Sequence, residues 1–583
     1  MKNSSKILSV MYKKMLIQQI ISSIVISLNS IIDTFMIGRY INNQGLSAMG
    51  FYGPITNVIF LCCVFSLGTQ ILVSEYIGKG DSSKARSIFS TCTAFLTIGF
   101  IVFGFLVFFF AEPLAGILGA NGTCKEMLVS YLHGVAPGYV FLALYNLFVR
   151  FLQLNNKDSL ARVSIAVMIV SNVSLDYIFV KAFDLGMFGM GLATAISNML
   201  AMVVCLSCYL SRKNGKTLYF EFSGINFKNV GAMIPLGSSE FTFNVIIALR
   251  TYIFNIIILK ICGPDAVAVM TILYTVCSFI GTIPSAATNS AITLGSIFYG
   301  ERNTDEMKEL YRYTIRNVLI VTTIVAGLIM VFRRHVAFVF AVPGTPIFDM
   351  TVDMLLLFPS MIILNGILHV TMGMYQCQKK MFFQNFMNIF ENLSIPFVAL
   401  GLSVFMGANG IWSSFTVAQV FCLLIIVIRV LIKKKKLSFK LTDWLDFDRE
   451  LLEESENSLL INASNMDEVV EVSKKIQEFL GEKGIDTRTS YFSGLATEEM
   501  AGNIIRYGFE NENNIVELFL LAKDGHVTIH IRDNCRLFDA VSYLSQFENE
   551  DVTKNIGIRL ASKITKEMKY QTIFGMNMLI MEF

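Results

Sequence analysis

From residue 15 to residue 432 the chain alternates long apolar runs with short polar breaks, and after Lys436 that pattern ends. A helix rises 1.5 Å per residue, so about 20 consecutive apolar residues cross the hydrocarbon core of a bilayer. Runs of that length fall near residues 15–38, 49–75, 88–111, 127–153, 161–183, 187–211, 231–260, 264–297, 312–332, 351–376, 383–405 and 409–432. They predict twelve transmembrane helices. Beyond residue 443 the apolar stretches are short and alternate with polar positions: between His526 and Arg532, residues Val527, Ile529 and Ile531 share one face of a strand. Strands near 457–463, 514–521 and 526–532, helices near 466–481, 488–507 and 556–567, and a hairpin over 567–583 turning at Gly575 compose an α/β sandwich. The expected fold is an all-α polytopic membrane protein followed by a C-terminal α/β sandwich domain.

The membrane part repeats itself. The turn Gly78-Lys-Gly-Asp81 recurs 222 residues later as Gly300-Glu-Arg-Asn303, and Pro137 recurs at the same offset as Pro359. Gly186 and Gly189 recur 221 residues later as Gly407 and Gly410. Two six-helix lobes in the same orientation imply a pseudo-two-fold axis along the membrane normal, with a cleft between them.

Composition agrees with lipid as the main solvent. Hydrophobic residues make up 54% of the chain and charged residues only 16%, against about 25% in an ordinary soluble protein. A net charge of +3, with no basic stripe among aromatics in a soluble segment, is too small to argue for nucleic acid, and no nucleic-acid partner is expected. The eleven cysteines lie mostly inside apolar runs, which argues against a disulfide framework, and Cys205 and Cys208 have no second pair to complete a metal site. Met1–Lys14 precedes a full-length span rather than a short cleavable core, so a signal peptide is not expected. Lys and Arg crowd alternate loops, as at Lys13–Lys14, Lys79–Arg86, Arg302–Arg316 and Lys433–Lys436, whereas the opposite set holds Arg39, Lys125, Lys181, Lys260, Arg333 and Arg334. That asymmetry puts both termini in the cytoplasm of a multi-pass plasma-membrane protein.

Charge at membrane depth costs roughly 2.5–3.5 kcal/mol per residue and turns toward the bundle interior. Asp33 and Asp176 are such residues, each with an Asn one helical turn earlier, Asn29 and Asn172, and Thr194 stands in the sixth run. Carboxylates, amides and a hydroxyl supply hard oxygen ligands for a cation, or a carboxylate pair for a proton. The alternative is polar groups that only join helices. The second half lacks these acids, with Asn255 and Phe397 at the repeated positions; it offers Glu240, Arg250, His369 and Glu391, of which Arg250 is either a cavity residue or the partner of Glu240 or Glu391.

Residues 1–436 resemble the multidrug and toxic-compound extrusion (MATE) family of transporters, on the stretches Ile31-Ile-Asp-Thr-Phe-Met-Ile-Gly38, Tyr76-Ile-Gly-Lys-Gly-Asp81, Asn172-Val-Ser-Leu-Asp176 and Gly189-Met-Gly-Leu-Ala-Thr194. The resemblance implies export by alternating access, driven by Na⁺ or H⁺, with the coupling site on Asp33, Asn172, Asp176 and Thr194. Lobe one would span about 1–215, lobe two about 228–436, and residues 437–455 a linker. Residues 456–583 are similar to the ATP-binding domain of the GHKL superfamily, nearest to anti-sigma-factor serine kinases. That implies ATP with Mg²⁺ held by Glu499 and Asn503, an adenine-reading Asp533, a phosphate lid at Asn555-Ile-Gly557, and a hairpin at Gly575 closing the pocket. Cys535 and Asn555 stand where that family's pattern has Gly, which predicts weak nucleotide binding with little or no turnover and a regulatory role, toward a cytosolic partner protein or toward transport itself. The expected function is cation-coupled export of amphipathic organic solutes across the lipid bilayer. Two alternatives remain: a flippase for lipid-linked saccharides, and a membrane sensor governing the kinase-like domain.

Overall fold

The computed structural model describes residues 7–583 apart from 18, 21–32, 34–35, 38–40, 42, 60, 119, 153, 156, 211–217, 436–439, 512–513 and 547–555. The first apolar run and the lid residue Asn555 therefore lie largely outside the described residues. Helix α1 covers residues 7–17; α2 (Asn43–Ile59) and α3 (Leu61–Gly78) share the second run, and α4 (Ser82–Phe109) is the third. After the short α5 (Ala111–Ile117), α6 (Gly122–Val135) and α7 (Tyr139–Phe151) form one span, joined through a single 3-10 turn at Ala136–Gly138; α8 (Asp158–Tyr177) and α9 (Gly186–Tyr209) follow. The second half runs α10 (Lys228–Cys262), α11 (Pro264–Ile280), α12 (Thr282–Gly300), α13 (Thr304–Val331), α14 (Arg333–Phe340), α15 (Pro346–Leu357), α16 (Pro359–Cys377), α17 (Met381–Met406) and α18 (Ala408–Lys434). Among the described residues, eight helices are long and apolar enough to cross a membrane, nine when α15 and α16, bent by 43° at their junction, count as one span. The second and eighth runs are each divided into two shorter helices. Large apolar side chains such as Phe109, Val331, Phe397 and Phe405 point outward, the inverse of a water-soluble surface and what a lipid surround requires.

The repeat seen in the sequence is a repeat of backbone geometry. Asp81 caps α4 by accepting from the Lys84 N–H at 2.9 Å, and its counterpart Asn303 caps α13 by accepting from the Glu306 N–H at 3.0 Å. Gly80 and Arg302, at matching positions, both take left-handed φ of 73° and 63°, as do Gly186 and Gly407 at 52° and 56°. The two turns also touch across the molecular axis: a Cβ on Gly78 would overlap the Ile297 carbonyl, and one on Gly300 would overlap the Glu75 carbonyl. Positions 75 and 78 map onto 297 and 300 by the offset of 222, so these are the two halves of one symmetric contact. A Cβ on Gly68 would likewise overlap the Met233 carbonyl, ten residues or about 15 Å further along α3. The lobes are thus in backbone contact from this end to well inside the bundle, and Lys379 of lobe two closes the seam by pairing with Glu75 at 2.7 Å.

The C-terminal domain sits on that same end. Residues before it pack on lobe two: Trp444 and Leu445 receive hydrogen bonds from Tyr375 and Gln378 at their carbonyls, 2.6 and 2.9 Å, and Asp446 pairs with Arg429 and Lys433, both at 2.8 Å. Helix α19 (Arg449–Glu456) leads into β1 (Ser458–Ala463), α20 (Met466–Glu482), α21 (Thr487–Asn503), β2 (Val516–Lys523), β3 (His526–Asp533), α22 (Ala540–Gln546), α23 (Ile556–Ile564), β4 (Glu567–Ile573) and β5 (Met576–Glu582). The strands form one antiparallel sheet in the order β1-β2-β3-β5-β4. Asp524 with Gly525, and Phe574 with Gly575, have positive φ in pairs, the backbone that tight two-residue hairpins require. Val527, Ile529 and Ile531 face α20 and α21, as the alternation predicts, together with Leu518, Leu520, Leu579 and Met581. Helix α22 lies where the sequence predicts only a loop; at seven residues it is too short for a clear period.

Candidate functional site

In lobe one, Asn172 and Asp176 lie one turn apart on α8 and are buried, and the Asp176 carboxyl stands against that of Asp33. Among the described residues no donor reaches either Asp176 oxygen, and neither end of the Asn172 amide has a partner. Buried polar atoms are rarely left so, since each costs about 1–3 kcal/mol. Thr194 is on the facing α9, where its hydroxyl donates to the Met190 carbonyl at 3.1 Å and its own carbonyl accepts from Asn198 at 2.8 Å. Tyr131 of α6 lies against Thr194 and within electrostatic reach of both carboxyls; Tyr52 packs edge-on against it at 5.0 Å, and the Tyr52 and Tyr139 hydroxyls are 3.4 Å apart. The four residues picked from the sequence therefore converge. The tyrosines escape sequence reasoning because a phenol inside an apolar run reads as filling; Tyr131 and Tyr139 flank Pro137, and Tyr52 gives no such signal.

Lobe two does not bring Glu240, Arg250 and Asn255 together. Glu240 and Arg250 are ten residues apart on α10, about 15 Å of rise, and so do not pair. Glu240 lies toward Arg150 of lobe one, Arg250 donates to Asn392 at 2.9 Å, and Asn255 is half-buried on the same helix. The polar cluster of this lobe centres on Glu391, which accepts from Gln419 at 2.6 Å and Asn365 at 3.0 Å and lies 3.4 Å from His369.

In the C-terminal domain, Glu499 and Asn503 share a face of α21, and a Cβ on Gly557 at the start of α23 would overlap the Glu499 carboxylate and reach 3.3 Å from the Asn503 amide. A backbone held that close at a helix start suits a phosphate and its metal. Asp533 ends β3, buried; one oxygen accepts from the Cys535 N–H at 2.9 Å and from Asn577 at 2.7 Å. Burial pushes its carboxyl up despite those bonds. The Cys535 side chain lies over Gly508, and its thiol is raised by burial and by Asp533. These donors fit an adenine nucleotide with Mg²⁺: Asp533 would meet the base, and Glu499 and Asn503 the metal. Gly575 is in the β4–β5 turn, and the carbonyl of its neighbour Phe574 accepts from Lys14 of α1 at 3.0 Å, so that turn faces the membrane domain as well as the Asp533 end of the sheet. Cys205 and Cys208 are buried in α9.

Two helical repeats packed about an axis, with a buried carboxyl pair inside one of them, define a two-lobed multi-pass transporter carrying a nucleotide-binding fold on one end. Residues 19–178 and 241–400 match the MatE family, and residues 463–583 match the histidine kinase-like ATPase domain. The chain belongs to the MatE family. It is similar to the multidrug export protein MepA of Staphylococcus aureus, 20% identical over 418 residues (71% of this chain, 92% of MepA), and to that of Staphylococcus saprophyticus, 21% identical over 432 residues (74% and 95%). Among solved structures it shares its fold with the Vibrio cholerae MATE transporter VcmN in a mutant form (TM-score 0.66, 18% identity, 75% of this chain and 99% of that one). It shares it also with a Pyrococcus furiosus transporter of the MOP superfamily, whose binding pocket is described as of reverse polarity (TM-score 0.65, 17% identity, 71% and 93%).

Proposed function

We propose that this chain is a cation-coupled exporter of amphipathic organic solutes, with lobe one about 1–215, lobe two about 228–436 and a regulatory nucleotide-binding domain at 456–583. The observation that carries the reading is the buried Asp33–Asp176 pair beside Asn172, in which both Asp176 oxygens and the Asn172 amide have no hydrogen-bond partner among the described residues. Two carboxyls in contact in low dielectric do not both ionise freely, so one holds a proton or the two share Na⁺. Loading that site favours one arrangement of the lobes, and organic solute in the cleft favours the other; opposite preferences are what coupling requires. The lysine-rich loops and the nucleotide-binding domain favour a cytoplasmic position for this end. The multidrug exporters it resembles, and the aromatic side chains around the acidic site, favour flat cationic solutes held by cation–π contact. An acidic lobe one weighs against an anionic lipid pyrophosphate as cargo. The test is transport in proteoliposomes with Na⁺ and H⁺ gradients imposed separately. Asp33→Asn and Asp176→Asn should each abolish gradient-driven export by folded protein, and wild-type rates in both would remove the assignment.

A further inference from the structure

The central strands of the C-terminal sheet are covered on both faces. Residues that alternate with its helix-packed core point the other way, and Ile573, Phe574, Met576, Met578 and Ile580 join the same continuous apolar core as α3 and α12. The surface they meet is the pair of symmetry-related turns through which the lobes touch. Toward lobe one, Gln571 donates to the Ile77 carbonyl at 2.9 Å and meets the Ser82 hydroxyl at 2.9 Å, while a Cβ on Gly80 would come within 2.8 Å of Ile580. Toward lobe two, Glu301 forms a buried ion pair with Arg532, which also binds Glu517 at 2.7 Å. Glu454 pairs with Arg302 at 3.1 Å and Lys523 at 2.5 Å, and the Thr304 and Ser455 hydroxyls are 2.5 Å apart.

We infer that the domain is an asymmetric clamp: it is fixed to lobe two and detachable from lobe one, and the lobes part on this face only when the Gln571 seam opens. The seams differ in kind. Toward lobe two the domain has buried charge pairs, and the preceding segment is pinned through Asp446, Trp444 and Leu445 to α16 and α18. Toward lobe one the described residues show neutral hydrogen bonds at Gln571, a lysine-to-carbonyl bond and apolar side-chain contact. A neutral hydrogen bond contributes less than one to a charged group, and the chain itself ties the domain to lobe two through the packed segment at 444–446, whereas only non-covalent contact holds it to lobe one. Opening the lobes here separates Gly78 from Ile297 and Gly300 from Glu75. A sheet bound to both turns cannot follow both lobes. The weaker seam gives way, so the docked domain holds the lobes closed on this side and sets how often they part.

The inference rests on the two-lobe alternating reading, and two tethers in the full-length protein test it. Ser82→Cys with Gln571→Cys, joined by a short reducible bis-thiosulfonate, ties the domain to lobe one. Thr304→Cys with Ser455→Cys, oxidised directly, ties it to lobe two. In proteoliposomes the first tether should slow export of an organic cation tenfold or more, with recovery on reduction, and the second should leave the rate within twofold. In lipid nanodiscs, spin labels on the ends of α4 and α13 near this face should report only the short inter-lobe distance under the first tether and a mixture under the second. Equal effects of the two tethers overturn the clamp, as does a distance distribution that ignores the first. Should the reduced protein carry no solute while the distances respond as stated, the exporter reading fails and the clamp stands.

Discussion

Removing one guanidinium should loosen the whole domain from the membrane part. Arg532 is nearly inaccessible and lies between Glu301 of lobe two and Glu517 of β2, with His530 at 3.7 Å from Glu301 and Glu306 close by. Burial raises Glu301, and Arg532 with His530 more than reverses this, holding its carboxyl below the ordinary range; burial and Glu301 raise Glu517. Arg532→Met keeps the stem and strands two carboxyls in a dry interface, a cost of about 3–5 kcal/mol. At 1.4 kcal/mol per factor of ten, that is a loss of two to three and a half orders of magnitude in the protection of β2 and β3 amides. The assay is hydrogen exchange on the full-length protein in micelles, read peptide by peptide. The triple variant Arg532→Met, Glu301→Gln, Glu517→Gln removes the stranded charges and should regain most of the protection, because an uncharged set of similar shape is close to neutral in such sites. Unchanged protection in Arg532→Met, or a triple variant as loose as the sum of its parts, would refute the reasoning.

Gly78→Val and Gly300→Val each drive a side chain into the backbone of the opposite lobe. Overpacking of this kind costs about 1–3 kcal/mol, so both should shift the lobes apart on the domain side by a factor of five or more, read as thiol labelling along α3. Cys535→Gly frees the backbone beside Asp533 and should tighten ATP binding several-fold in calorimetry on the full-length protein, with GTP unaffected; no change would show that the thiol does not obstruct the site. Glu301, depressed in the docked state, contributes stability above the ordinary carboxylate pKa of about 4.3 and loses it as pH falls through its docked value. Protection of β3 should therefore drop on acidification through that range, and the drop should be smaller in Glu301→Gln.

Much of this molecule is legible in its sequence. Apolar runs mark most of the spans because lipid admits no unsatisfied backbone, although the second and eighth runs are each broken into two helices, and the 222-residue echo of Gly78-Lys-Gly-Asp81 marks the repeat because both turns need the same backbone. Asp33, Asn172, Asp176 and Thr194 stand out because charge and amide at that depth are costly and turn toward the bundle interior, where the structure brings them together. Tyr52 and Tyr131 do not, since a phenol is at home in an apolar run until its neighbours are known. Strand alternation separates two faces of the C-terminal sheet and identifies Val527, Ile529 and Ile531 as core. It says nothing of what covers the other face, where Glu517, His530 and Arg532 read as solvent-facing polar positions. Only the tertiary structure decides that these are buried against Glu301, because the partner is 231 residues away. Local pattern records how a strand divides its side chains; the docking of one domain on two lobes depends on surfaces that exist only once each has folded.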